Sequence, residues 1–170
     1  FFICRDHPGN LQGLIQKQGF VIKLLPKPKT RYIRQKDDPK HATWLSVPWN
    51  QDVKETKEVF GNEIVDWLIV DHYGIDYRWH ESFRRCTKNI MVIDDLADRK
   101  LNCDVVLDQT YGREKDAYVS VAPEQSQLLL GVDYALLRPE FVQLRHKAIE
   151  KRKKEKSIKR ILVSMGSTDP

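Results

Sequence analysis

The chain has 170 residues, of which 41% are hydrophobic and 31% charged, and a formal net charge of +5. That size suits one α/β domain with a real core, or one domain plus a fragment of another, and the hydrophobic content is too high for a disordered chain. The longest apolar stretches are strand-sized, so neither a helical membrane span nor a leader with an apolar core is expected.

Phe1–Arg5 reads as a strand already in progress, the continuation of something upstream. Pro8-Gly9-Asn10 reads as the turn capping a helix whose apolar face is Leu11, Leu14 and Ile15, with Gly19 ending it. Val21–Leu25 is a second strand. The segment 26–49 is polar and contains Pro26, Pro28, Pro39 and Pro48. It is long for a connection, which predicts either a functional loop or poor order. Asn50 is expected to cap a helix through Phe60. Trp67–Asp71 is an uninterrupted apolar run ending in an acid, which fits a strand buried on both faces of a parallel sheet.

Asp76–Cys86 has helical spacing at Trp79 and Phe83. Asn89–Ile93, Val105–Leu107 and Leu128–Leu130 are further strands. Pro139 opens a long helix that dissolves into a basic segment, and Ile161–Ser164 is a last strand leading into Met165–Pro170. Alternating strands and helices predict an α/β fold with a Rossmann-like parallel sheet. The expected organisation is a domain over 1–150, a basic linker over 151–159, and the start of a second domain over 160–170.

The positive charge is local. Between Gln143 and Arg160 nine Lys or Arg face two Glu, leaving the remainder slightly acidic. Without aromatics for base stacking, that run reads as a solvated helix end or linker, and no nucleic-acid partner is expected. Cys4, Cys86 and Cys103 are odd in number and widely spaced. A disulfide framework or a cysteine-rich zinc site is therefore not expected; reduced thiols in a cytoplasmic protein are the simpler reading. His7, His41 and His80 are scattered, and no metal site is expected.

Three strand ends carry polar groups: Asp71-His72-Tyr73 followed by Gly74, then Asp94-Asp95, then Asp108-Gln109-Thr110. Successive parallel strands would bring these ends to one rim, where open α/β sheets bind ligands. Hydroxyls, amides and carboxylates there could hold a sugar, with Tyr73 positioning a water or steadying a leaving group and His72 acting in proton transfer. Alternatively Asp71 caps a helix, His72 packs against a neighbouring strand, and Asp94 and Asp95 are caps and loop anchors. Gly166, Ser167, Thr168 and Asp169 form a second candidate, a small-residue loop whose backbone N–H groups could meet a diphosphate. No P-loop and no complete G-x-G-x-x-G fingerprint occurs.

Six motifs stand here in order: F-I-C-R-D-H-P-G-N, I-V-D-H-Y-G, M-V-I-D-D-L-A-D-R, C-D-V-V-L-D-Q, Y-A-L-L-R-P-E-F and V-S-M-G-S-T-D-P. Together, over Phe1–Pro170, they resemble the UDP-sugar hydrolases of pseudaminic acid biosynthesis and the related spore-coat polysaccharide proteins. The resemblance implies the N-terminal half of a two-domain glycosyltransferase-B architecture. It implies hydrolysis of a UDP-linked diacetamido-trideoxy sugar to UDP and free sugar, with water attacking the anomeric carbon with inversion. Neither metal nor other cofactor is implied, and the UDP-sugar is the partner.

Tyr73 matches the tyrosine of the family's D-H-Y motif and is carried over as catalytic, with His72 beside it and Asp71 and Gly74 as substrate contacts. Gly166, Ser167, Thr168 and Asp169 match the family's M-G-G-T-D loop, Ser167 replacing its second glycine. The family's water-activating histidine lies on a Gly-x-Gly-His loop upstream of the first residue here, so the chain alone is expected to be inactive. A glycosyltransferase of the same architecture is the alternative, since fold does not separate hydrolysis from transfer. A non-catalytic domain binding RNA or a protein through the basic segment is a third reading.

Overall fold

The computed structural model describes residues 1–61, 63–155 and 157–163. The chain divides into two compact units, Phe1–Tyr134 and Ala135–Pro170.

The first unit carries the six strands found among the described residues. β1 (Phe2–Arg5) pairs in parallel with β2 (Ile22–Leu25), and α1 (Gln12–Lys17) lies between them in sequence. Asn10 serves α1 as expected, its side-chain oxygen accepting the Gln12 N–H at 3.1 Å. α2 (Trp49–Phe60) starts after Pro48, so Asn50 lies inside the helix and does not cap it; its carbonyl oxygen takes the adjacent Gln51 N–H at 3.0 Å. Proline at the N-cap has no side-chain acceptor to offer, and no side-chain cap forms there.

β3 (Val65–Val70), β4 (Thr87–Ile93), β5 (Val105–Asp108) and β6 (Gln127–Leu130) form a parallel sheet in that order, with α3 (Tyr77–Phe83) crossing from β3 to β4. The parallel α/β arrangement expected from the sequence is present. Register is set by Val70 opposite Val92, Val92 opposite Val106 and Val106 opposite Leu128. Phe83, Ile90, Val92 and Val106 are fully buried beneath α2 and α3, and truncating one to Ala costs a buried core residue about 2–5 kcal/mol.

The expectation for Trp67–Asp71 needs correction. β3 ends at Val70, and Trp67 and Ile69 are 50% and 59% exposed while Val70 is buried. β3 is an outer strand of its sheet, and one of its two faces is left open within the unit. The central strand β5, with neighbours on both sides, is buried at every position.

Beneath the sheet, His80 is fully buried, and its Nδ1 accepts the Asn102 N–H at 3.2 Å. Burial, with Arg99 and Arg84 nearby, pushes its pKa down from 6.5 to about 3. The second unit contains α4 (Pro139–Lys154), with Pro139 at its first turn as the sequence suggests; the helix runs through the first four residues of the expected linker. Residues 161–163 form no strand, and Ser164 lies outside the described residues. Among the described residues no helix is long and apolar enough to cross a membrane, and the three cysteines are free thiols.

His80 generates a prediction. Its folded pKa lies below the unfolded value, so its contribution is complete above pH 6.5 and is lost as pH falls toward about 3. Between pH about 6.5 and 5 most carboxylates stay ionised, so the acid slope there should come from the desolvated histidines, His80 and the likewise lowered His72. Urea unfolding across that interval should show falling stability in the wild type and a flatter profile in His80→Asn, which keeps an acceptor for Asn102.

Candidate functional site

Because β3, β4 and β5 are parallel neighbours, their carboxyl ends meet on one rim. Asp94 is buried at the end of β4, where it accepts from Arg99 Nη1 at 2.6 Å, from the Ala97 N–H at 2.8 Å and from the Tyr118 hydroxyl at 3.0 Å. Ala97 sits at φ 49°, a left-handed conformation unusual for a residue with a Cβ, and the Asp94 bond to its N–H fixes that turn. Arg99 also donates to the Ile75 carbonyl at 2.7 Å, while its buried Nη2 has no hydrogen-bond partner among the described residues. Asp108, buried at the end of β5, accepts from the Thr110 N–H at 2.8 Å and from Tyr118 at 2.9 Å. Burial acts to raise the Asp108 pKa, but these bonds and the Arg113 charge hold it below the usual carboxylate value.

Tyr118 thus lies between two carboxylates with one proton to give. Burial and the two acids keep it protonated far above the ordinary phenol range. Arg113 joins the same assembly, donating to Asp108 and to the Asp95 carbonyl, both at 2.5 Å. Of the Asp94–Asp95 pair, Asp94 is the anchor and Asp95 is the exposed residue that the anchor presents.

Asp95 Oδ1 accepts the Tyr73 hydroxyl at 2.6 Å. That bond, with desolvation and the charges of Asp95, Asp71 and Asp94, holds the Tyr73 proton in place far above the ordinary phenol pKa. Tyr73 is therefore a neutral donor to Asp95 with free lone pairs, suited to orient water. Its ring is framed by His41 at 6.0 Å, Trp44 at 5.9 Å and the Arg99 guanidinium at 5.8 Å. Asp71 stands beside this pair; partial burial and the Asp95 charge raise its pKa.

His72 is held differently. Its Nδ1 accepts the Gly74 N–H at 3.0 Å, and burial lowers its pKa despite the Asp52 charge and a backbone bond to Trp44. The imidazole is neutral and fixes the turn that carries Tyr73. Gly74 is buried, and a Cβ there would stand 2.9 Å from both the His41 carbonyl oxygen and the His72 ring. Glycine permits this close passage of the β3 turn beneath the 41–44 segment.

The structure therefore brings together Asp71, His72, Tyr73 and Gly74 with Asp95. Gly166, Ser167, Thr168 and Asp169 lie outside the described residues. Sequence reasoning missed His41 and Trp44, which sit in the polar segment flagged as a long loop, and also Arg99, Arg113 and Tyr118. No periodicity marks these, since each acts through a side chain reaching across the rim. Among the described residues no three His, Cys, Asp or Glu side chains gather to ligate a metal.

No family model matches the chain. It is similar to the UDP-2,4-diacetamido-2,4,6-trideoxy-beta-L-altropyranose hydrolase of Campylobacter jejuni, at 28% identity over 121 residues, which is 71% of this chain and 42% of that protein. The chain thus spans under half the length of the relative it matches. The likeness supports an enzyme of a related kind.

Two substitutions test the rim. Tyr118→Phe removes the one hydroxyl shared by Asp94 and Asp108 and should lower stability by about 1–3 kcal/mol in urea unfolding. Gly74→Ala meets a backbone carbonyl that cannot swing away. It should cost about 1–3 kcal/mol and alter the fluorescence of Trp44, whose ring borders Tyr73.

Proposed function

We propose that the chain is the sugar-handling domain of a UDP-sugar hydrolase, acting on a UDP-linked diacetamido-trideoxy sugar, and that the Tyr73–Asp95 rim is its reaction centre. One observation carries this reading: a neutral tyrosine, fixed by a carboxylate, stands at the carboxyl rim of a parallel sheet, in the motif where the resemblance expects a catalytic tyrosine. The relative's name supports the substrate class.

In this mechanism water attacks the anomeric carbon from the face opposite the diphosphate. The new carbon–oxygen bond forms as the bond to the diphosphate oxygen breaks, and that electron pair leaves with UDP. Tyr73 has committed its proton to Asp95, so its oxygen accepts from the attacking water and aims it. The water's second proton passes to a general base, a role the resemblance gives to a histidine on a loop this sequence does not contain. Asp95 positions Tyr73, and His72 and Gly74 hold the turn. No metal takes part, and the loop Gly166, Ser167, Thr168 and Asp169 and a second domain contribute to holding UDP. The protein acts in the cytoplasm, within nonulosonic acid biosynthesis.

The test is UDP release by the full-length protein, with the free sugar followed by NMR. Tyr73→Phe should lower kcat by about a hundredfold or more, Asp95→Asn by less, and chelators should change nothing. A glycoside formed only when an acceptor is added would replace hydrolysis with transfer. An undiminished kcat in Tyr73→Phe would remove the tyrosine from the reaction centre.

A further inference from the structure

Beyond the rim, the turn after β1 and the loop after β2 line an open pocket of about 580 Å³. Lys27, Lys29 and Arg31 line it together with Asp6, His7 and Trp44, whose ring is 5.9 Å from that of Tyr73. An adjoining cavity of about 800 Å³ shares the same three cations. None of the three makes an ion pair among the described residues, whereas the cations Arg5, Arg78, Arg99 and Arg113 all do.

The loop's own acid does not neutralise them. Asp38 is turned inward, accepting from Tyr32, from the Gln35 N–H at 2.8 Å and from Arg78 Nη2 at 3.5 Å. Burial opposes this, but these donors hold the Asp38 carboxyl below its usual pKa, so its charge is spent on anchoring the loop. Glu55, which lines the adjoining cavity, is paired with Arg5. In the smaller cavity Asp6 is therefore the one carboxylate facing three free cations.

We propose that this cavity is an anion subsite for a phosphate group, and, on the hydrolase reading above, for the diphosphate of the nucleotide sugar. Three exposed, unmatched cations around one open pocket present their N–H donors to a compact polyanion, which gains charge-assisted hydrogen bonds there. Trp44 is 56% exposed, lines this pocket and has its ring 5.9 Å from that of Tyr73, so an anion held here would lie near the reaction centre. A small ligand is favoured over nucleic acid because the cations lie within five residues of one loop and line one pocket, and do not form an extended track.

The experiment has two arms, run with the full-length protein. Calorimetric titration with inorganic pyrophosphate should show saturable binding. The triple variant Lys27→Gln, Lys29→Gln, Arg31→Gln should weaken it by about tenfold or more. Neutralising Lys151, Arg152 and Lys153 on α4 should leave it unchanged, as should Tyr73→Phe. In the UDP-release assay the triple variant should raise KM by a similar factor with kcat nearly constant.

Equal pyrophosphate binding by the triple variant and the wild type, or none by either, overturns the subsite, whatever the hydrolase activity. So does tighter, strongly salt-dependent binding of an RNA oligonucleotide through the same three residues. An absence of UDP release with pyrophosphate binding still lost in the triple variant sinks the hydrolase reading and leaves the anion subsite standing.

Discussion

The rim depends on one buried carboxylate. Asp94 gathers Arg99, the Ala97 N–H and Tyr118 at the end of β4, at a position only 2% exposed. A carboxylate so deep is tolerable only when its acceptor sites are filled, and deleting one partner of a buried ion pair typically costs about 3–5 kcal/mol. From this knot the chain turns out through Ala97 in a left-handed conformation, Asp95 faces Tyr73, and Tyr118 ties β4 to β5 through Asp108. Arg113 closes the circuit by holding Asp108 and the Asp95 backbone together. The reactive-looking pair on the surface is an outgrowth of a structural network beneath it.

Much of the fold was legible because local signals and tertiary context agree. The apolar runs at Asn89–Ile93 and Val105–Leu107 fall within β4 and β5, and Pro139 opens α4. The reading failed where burial depends on what lies opposite. The apolar composition of Trp67–Val70 says nothing about whether a second layer covers it, and here Trp67 and Ile69 face outward. Asn50 failed for a simpler reason: Pro48 starts the helix two residues earlier.

The site was legible as a set of strand ends and opaque as a set of roles. Aspartates after successive parallel strands had to converge, and the Tyr73–Asp95 bond spans 22 residues because β3 and β4 are neighbours. Sequence could not assign Asp94 inward and Asp95 outward, since adjacent residues at a strand end differ only in direction. Nor could it tell that His72 spends its Nδ1 on the Gly74 backbone. Trp44 and His41 became part of the site only because the long polar loop folds back over the β3 turn.

The β1–β2 pair shares no backbone ladder with the four-stranded sheet. What docks it is side-chain chemistry: Arg5 on Asp52 and Glu55, Phe1 edge-on to Phe60, and Lys23 on the Val59 carbonyl. Two strands alone are marginal in water, so this part of the first unit depends on those contacts for its local stability. Its amides should exchange with solvent ahead of those in β4 and β5. The wall bearing Lys27 and Arg31 belongs to that yielding part, whereas Tyr73 belongs to the rigid one.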